Sequence, residues 1–334
     1  MIETFPRQKK GPGYFIQIFL FCYCLCLSLA PHVFAENPRP QGSGKIYTIS
    51  MITWRGETDA EKGFLDELNR QNCPVSVQKY HAGQNTEKLK KIIRQIKEHP
   101  ADLIYVFGTS ATQTVISEIK DIPVVFNIVT QPVVSGIVQS WTVSGNNSTG
   151  ASSYVPVEHQ LKALKKVIDF KRLGIIYNPK EPNSVFHRNS TAALQQRLDF
   201  TLHEFKIDSP RKASEVLKHL EGTVDAVFVP SDSLLISMGD SITGPINGCK
   251  IPSLTTAETL VVDHGLLLGL QPSYYALGSM VARKAMMIFA GQKPGNIPIS
   301  RLDYFELRVN MRTARQIGVQ IPMAILVGAN RIVR

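Results

Sequence analysis

Leu103-Ile104-Tyr105-Val106-Phe107 is an unbroken apolar run of strand length, and Gly108 stops it. A run with no polar alternation belongs to a strand covered on both faces. Thr109 and Ser110 come next, and Ala111 to Ile119 then reads as a helix. Strand, glycine turn and helix start form the unit from which open α/β sheets are built. The first turn of such a helix has unpaired N–H groups. The hydroxyls of Thr109 and Ser110 either cap it or face a ligand, and open sheets bind ligands at these strand ends.

The same unit recurs along the chain. Strands are expected at Ile46–Ile52, Val75–Tyr80 and Pro123–Val129, with helices over Asp59–Gln71 and Glu87–Glu98; Leu89, Ile92, Ile93 and Ile96 recur at helical spacing. Ser144 to Ser153, rich in Gly, Asn and Ser, reads as a boundary. A second series follows, with strands at Arg172–Tyr177, Phe200–Phe205, Ala226–Val229, Ile251–Leu254 and Gly265–Leu270. Its helices are expected over Val157–Ile168, Ser184–Leu198, Lys212–Leu220 and Leu234–Ile242. A strong helix, Tyr275–Ala290, an extended stretch, Arg301–Val309, and a short helix, Thr313–Ile317, close the chain. Two βα series of about 110 residues each in 334 predict two α/β lobes with parallel sheets and a ligand cleft between them.

Hydrophobic residues make up 43% of the chain and charged residues 19%, enough apolar material for a sizeable core. The net charge of +10 is scattered, as in Lys88, Lys90, Lys91, Arg94 and Lys97 on one helix. With no nucleic-acid module present, it reads as a basic solvated surface and excludes a nucleic-acid partner. Residues 1–35 read as a signal peptide: Arg7, Lys9 and Lys10 precede the apolar stretch Tyr14–Ala30, and Val33-Phe34-Ala35 places small residues for cleavage after Ala35. Residues 36–44 read as a flexible leader. No lipoprotein triplet precedes Cys22, Cys24 or Cys26, so no lipid anchor is expected. Cys73 and Cys249 would remain, as two free thiols in different lobes. No later segment approaches 18 consecutive apolar residues, which predicts a soluble mature protein.

The strand-end loops hold the candidate ligand residues. Trp54 and Arg55 follow the first strand. The indole either stacks on a ligand or packs under the next helix, and Arg55 either grips an anion or pairs with Glu57 or Asp59. Thr109 and Ser110 suit a carboxylate. Asn127 to Gln131 adds an amide, the Thr130 hydroxyl and Gln131. Asn183 and Ser184 close a loop stiffened by two prolines, and Ser231-Asp232 brings either a carboxylate to the cleft or an N-cap to a helix. Catalytic patterns are missing. The histidines lie at no metal spacing, and there is no Gly-x-Ser-x-Gly, Walker A or Gly-x-Gly-x-x-Gly motif. No enzyme activity, metal or cofactor is therefore expected.

From Ile46 to Pro322 the chain resembles the ABC-transporter substrate-binding proteins of the tryptophan/tyrosine-binding type. The resemblance rests on Glu61-Lys62-Gly63-Phe64, Gly108-Thr109-Ser110-Ala111, Ile122-Pro123-Val124-Val125-Phe126 and Tyr177-Asn178-Pro179 with Asn183-Ser184. Val229-Pro230-Ser231-Asp232, Tyr274-Tyr275-Ala276-Leu277-Gly278 and Glu306-Leu307-Arg308-Val309-Asn310 complete it. It implies a type I periplasmic binding protein fold: two Rossmann-like lobes about a hinged interlobe cleft, crossed three times, near Tyr154, Gln271 and Arg301. The lobes would then comprise 45–153 with 272–300, and 154–271 with 301–334.

The resemblance also implies a monomer in the periplasm that captures an aromatic amino acid or related carboxylate and delivers it to an inner-membrane ABC permease. A ligand-sensing subunit of a signalling system remains the alternative. Thr109 and Ser110 would take the ligand carboxylate and Asp232 the ammonium. Two departures bear on this: Gln131 and the Gln271-Pro272-Ser273 stretch stand where relatives carry acids. An ammonium buried with too few negative partners is costly, so these departures favour a ligand without an amino group.

Overall fold

The structure is a computed structural model that describes residues 44–334. The expected signal peptide and residues 36–43 of the leader lie outside the described residues. The strands, in chain order, are β1 (Tyr47–Thr53), β2 (Val75–His81), β3 (Leu103–Phe107), β4 (Val124–Val129), β5 (Ser148–Ser152), β6 (Arg172–Tyr177) and β7 (Thr201–Lys206). They continue with β8 (Ala226–Val229), β9 (Ser253–Thr255), β10 (Leu268–Gln271), β11 (Ser300–Arg301), β12 (Glu306–Asn310) and β13 (Arg331–Val333).

They form two sheets. One runs β11-β5-β4-β3-β1-β2, with every pair parallel. The other runs β13-β12-β10-β9-β8-β6-β7. Both share one winding, second strand–first–third–fourth–fifth. The connection direction therefore reverses between β1 and β3 in one sheet, and between β6 and β8 in the other. A reversal opens a crevice at the carboxyl ends of those strands, because the flanking helices leave on opposite faces.

Helices cover both faces of each sheet. Leu89, Ile93 and Ile96 of the Thr86–Glu98 helix pack with Met51, Tyr105 and Phe126 in the first core. The Tyr274–Phe289 helix joins this core through Leu277, Val281 and Ala285, although it lies in sequence between two strands of the second sheet. Alternation along β8 divides the second core. Val227 and Val229 pack with Ile242 and Leu260 on one face, and Ala226 and Phe228 with Leu161 and Phe170 on the other.

Several elements depart from expectation. The stretch read as a boundary contains β5, buried along its whole length. Its sequence Ser-Thr-Gly-Ala-Ser lacks the usual strand residues because the space is small: a Cβ on Gly150 would lie 2.1 Å from the Phe126 carbonyl oxygen. The second sheet is not wholly parallel. β12 pairs antiparallel with β10, Gln271 opposite Glu306. The chain reaches β12 after a four-residue crossing from β11, at the end where β10 finishes, and so must run back the other way. The expected Leu234–Ile242 helix divides at Met238 into Ser233–Ser237 and Gly239–Gly248. The expected Ser184–Leu198 helix divides likewise, into Pro182–Ala192 and Gln195–Leu198. Cys73 and Cys249 are both free. No helix among the described residues is long and apolar enough to cross a membrane.

Candidate functional site

The two crevices face each other. A chamber of about 30 Å³ lies between them, walled by Trp54, Arg55, Gly108, Thr109, Ser110 and Thr130 from the first sheet and by Glu181, Asn183, Ser231 and Ser233 from the second. These residues follow β1, β3, β6 and β8, the strands that flank the two reversals, and β4, the neighbour of β3. A volume of 30 Å³ holds about one or two waters, so admitting anything larger requires the lobes to part.

Gly108 adopts φ +89°, which a side chain would strain, and it serves as N-cap of the Thr109–Glu118 helix with no side-chain cap. Instead Ser110 Oγ donates to Glu181 Oε2 at 2.9 Å across the cleft. Glu181 is itself the N-cap residue of the Pro182–Ala192 helix, yet its side chain caps nothing there. Burial pushes its carboxyl pKa up; the bond from Ser110, the nearby Trp54 indole and the charge of Arg55 pull the other way. Trp54 Nε1 is buried and closes no hydrogen bond of normal geometry. The Arg55 guanidinium lies over the Phe107 ring, 5.2 Å from its centroid. The cleft thus joins a helix N-terminus, one cation and one carboxylate.

A buried polar chain supports the first wall. Glu61 accepts from the Thr58 N–H at 2.7 Å and from its hydroxyl at 2.8 Å, and so fixes the start of the Asp59–Arg70 helix just past Arg55. Tyr105 Oη donates to the same carboxylate at 2.7 Å, and Asn127 Nδ2 donates to Tyr105 Oη at 3.2 Å. Asn127 Oδ1 accepts from the Ile128 N–H at 2.9 Å. Ile128 sits at φ +55°, where the β4–β5 register shifts, and lines the chamber. A β-branched residue held there is strained, and the bulge turns this wall toward the cleft.

Of the expected ligand residues, Trp54, Arg55, Thr109, Ser110, Thr130 and Asn183 are brought together around the chamber. Asn183 Nδ2 also donates to the Ser231 carbonyl at 2.6 Å, joining two loops of the second wall. Gln131, Ser184, Asp232 and Gln271 do not line this chamber. Gln131 starts a turn, its carbonyl accepting from Ser135 N–H at 2.9 Å. Ser184 Oγ accepts from Asn178 N–H at 2.9 Å. Asp232 caps the Ser233–Ser237 helix through Leu235 N–H at 2.9 Å. Its Oδ2 has no partner, and burial, then the charge of Glu181, raises its pKa to about 7. Gln271 turns its amide oxygen to Arg308, 3.1 Å from Nη1, and borders an outer chamber of about 420 Å³ that meets the inner one at Arg55.

Glu181 is the residue that sequence reasoning missed. The signal was present. Glu-Pro opens a helix there, and glutamate is a poor N-cap, so its carboxylate was free for another partner. The cleft is therefore not as short of acid as Gln131 and the Gln271 stretch imply.

Fold and cleft together define the class, the type I periplasmic binding protein fold: two parallel-dominated sheets whose strand-end loops face each other across a gap. The chain belongs to the ABC transporter substrate binding protein family, whose profile matches residues 45–333. Members of that family bind small molecules and work with ABC permeases. The chain is 27% identical over 266 residues to a tyrosine-binding protein of Clostridioides difficile (strain R20291), covering 78% of this chain and 77% of the relative. A conserved domain protein of Vibrio cholerae superposes with TM-score 0.81 at 24% identity, over 86% of this chain and all of the other. An ABC domain from Streptococcus pneumonia, solved in complex with L-Trp, also superposes with TM-score 0.81, at 22% identity over the same shares.

Proposed function

We propose that this protein is the solute receptor of an ABC importer and closes its lobes on an aromatic amino acid. The observation that carries the reading is the Ser110–Glu181 contact. It sets a helix start, whose N–H groups suit an anion, opposite a carboxylate in one small chamber. An α-amino acid presents the matching pair of charges. Its carboxylate suits the N–H groups and hydroxyls of Thr109 and Ser110, and its ammonium suits Glu181. The relative that binds tyrosine and the neighbour solved with L-Trp support an aromatic side chain. We further propose export with removal of residues 1–35, action as a periplasmic monomer, and delivery to an inner-membrane permease.

The test compares L-tyrosine with 3-(4-hydroxyphenyl)propionic acid, which lacks the amino group, by calorimetric titration. Wild type is expected to prefer the amino acid. Glu181→Gln is expected to weaken the amino acid about 10- to 100-fold and to leave the amine-free acid within about threefold. Ser110→Ala is expected to weaken both ligands, by about tenfold, through loss of a bond to the shared carboxylate. Equal affinity of wild type for the two compounds would refute the ammonium assignment.

A further inference from the structure

Asn127 near the end of β4 is fully buried and does not line the chamber, yet it is tied to all three loops of the first wall. Its backbone carbonyl accepts from the N–H of Gly108, which opens the Thr109–Glu118 helix, at 2.9 Å. Its Oδ1 accepts from the Ile128 N–H at 2.9 Å, and its Nδ2 donates to Tyr105 Oη at 3.2 Å. Because Oδ1 faces an N–H, which only donates, the amide orientation is determined. Tyr105 in turn donates to Glu61, which holds Thr58 just past Arg55. From Ile128 to Asn127, from Asn127 to Tyr105 and from Tyr105 to Glu61, every hydrogen points toward the carboxylate. Bonds aligned in this way polarise one another, and a charge at the end strengthens them.

We infer that Asn127 is the positioning residue of the first wall. Through Tyr105 and Glu61 it locks the Arg55 loop, the Gly108–Ser110 helix start and Ile128 into one rigid face, so that ligand affinity depends on a buried hydroxyl that touches no ligand. A core that needed only filling would be served as well by apolar side chains of the same shape. It would also not hold a β-branched residue at φ +55°, as Ile128 is held on the chamber. Ligand sites need such support, because a wall that drifts by an ångström loses its contacts. The inference rests on the amino-acid reading above for its choice of ligand.

Tyr105→Phe removes the one hydroxyl that joins Asn127 to Glu61. Hydrogen exchange read by mass spectrometry needs no ligand. The peptides holding Thr58, Gly108 and Ile128 are expected to exchange about tenfold faster together, with β6 to β8 unchanged. Calorimetric titration with L-tyrosine is expected to show about tenfold weaker binding. Phe170→Leu is the control for stability alone, since this buried side chain lies two residues ahead of β6, at the far end of that strand from the chamber. It is expected to lower the urea midpoint at least as much, and to leave affinity and the three peptides within about twofold. Full affinity in Tyr105→Phe, or exchange that quickens at β3 alone or not at all, overturns the positioning role. If wild type does not bind L-tyrosine, the amino-acid reading fails and the exchange decides the positioning role by itself. Should Tyr105→Phe not fold, Asn127→Leu, which cuts the same path one link on, is read in the same way.

Discussion

Gly278→Ala should lower stability by about 3 kcal/mol or more, the upper range of overpacking effects. The Asp59–Arg70 and Tyr274–Phe289 helices cross at two glycines. A Cβ on Gly278 would lie 2.0 Å from the Ala60 carbonyl oxygen and 2.8 Å from the Phe64 nitrogen. One on Gly63 would lie 2.1 Å from the Tyr275 carbonyl oxygen. These are backbone atoms, so no rotamer change relieves the overlap and the helices must separate. Ser279 Oγ, which reaches the Gly63 and Tyr275 carbonyls at 3.3 and 3.2 Å, would lose that geometry. The midpoint of urea unfolding measures the loss. Gly248→Ala is the control: a Cβ there meets nothing within 4 Å, so a change within about 0.5 kcal/mol is expected. An equal, small effect at both positions would show that the crossing yields easily. The crossing also bears on the proposed site, because the Asp59–Arg70 helix is capped by Thr58 just past Arg55, which walls the chamber.

Asp232→Asn should stabilise the protein at pH 8 and not at pH 4. The Asp232 carboxyl ordinarily titrates at 3.8; here burial, with the charge of Glu181, raises it to about 7. Between those values the folded protein holds a proton that the unfolded chain has released. Stability therefore falls as pH rises from about 4 to about 7, and is level above. Asparagine keeps the N-cap oxygen for Leu235 N–H and cannot ionise. The gain at pH 8 should be on the order of 4 kcal/mol, given 1.36 kcal/mol per pKa unit and a shift from 3.8 to about 7. Thermal or urea unfolding at both pH values reads it. A difference that does not vary with pH would mean that the carboxylate ionises in the fold at no cost. Ligand affinity should survive the substitution, because Asp232 caps a helix and does not wall the chamber. Loss of binding would return Asp232 to the ammonium role that the resemblance implied.

Much of this architecture is legible in the sequence, and the limits of legibility are physical. The apolar run Leu103–Phe107 and the helical spacing of Leu89, Ile92, Ile93 and Ile96 declare their elements, because burial on a strand or on one helix face demands those patterns. The loops that face a ligand follow from them, since strand ends at a reversal always point into a crevice. β5 was hidden because packing against Phe126 selects small residues over strand formers. The antiparallel course of β12 was hidden because direction depends on where a crossing delivers the chain.

At the site the division is the same. Gly108-Thr109-Ser110 was visible as a helix start open to an anion, since glycine at positive φ and hydroxyls in a first turn are local features. What faces it was not. Glu181 lies 71 residues away in sequence and meets Ser110 only because the two lobes close on one another. Asp232, the more obvious acid, is committed to a cap. Sequence by itself determined most of the elements and one wall of the cleft, because those depend on local propensity and burial pattern. Only the tertiary structure decided which acid stands on the opposite wall, because that depends on pairing across a gap that no local pattern encodes.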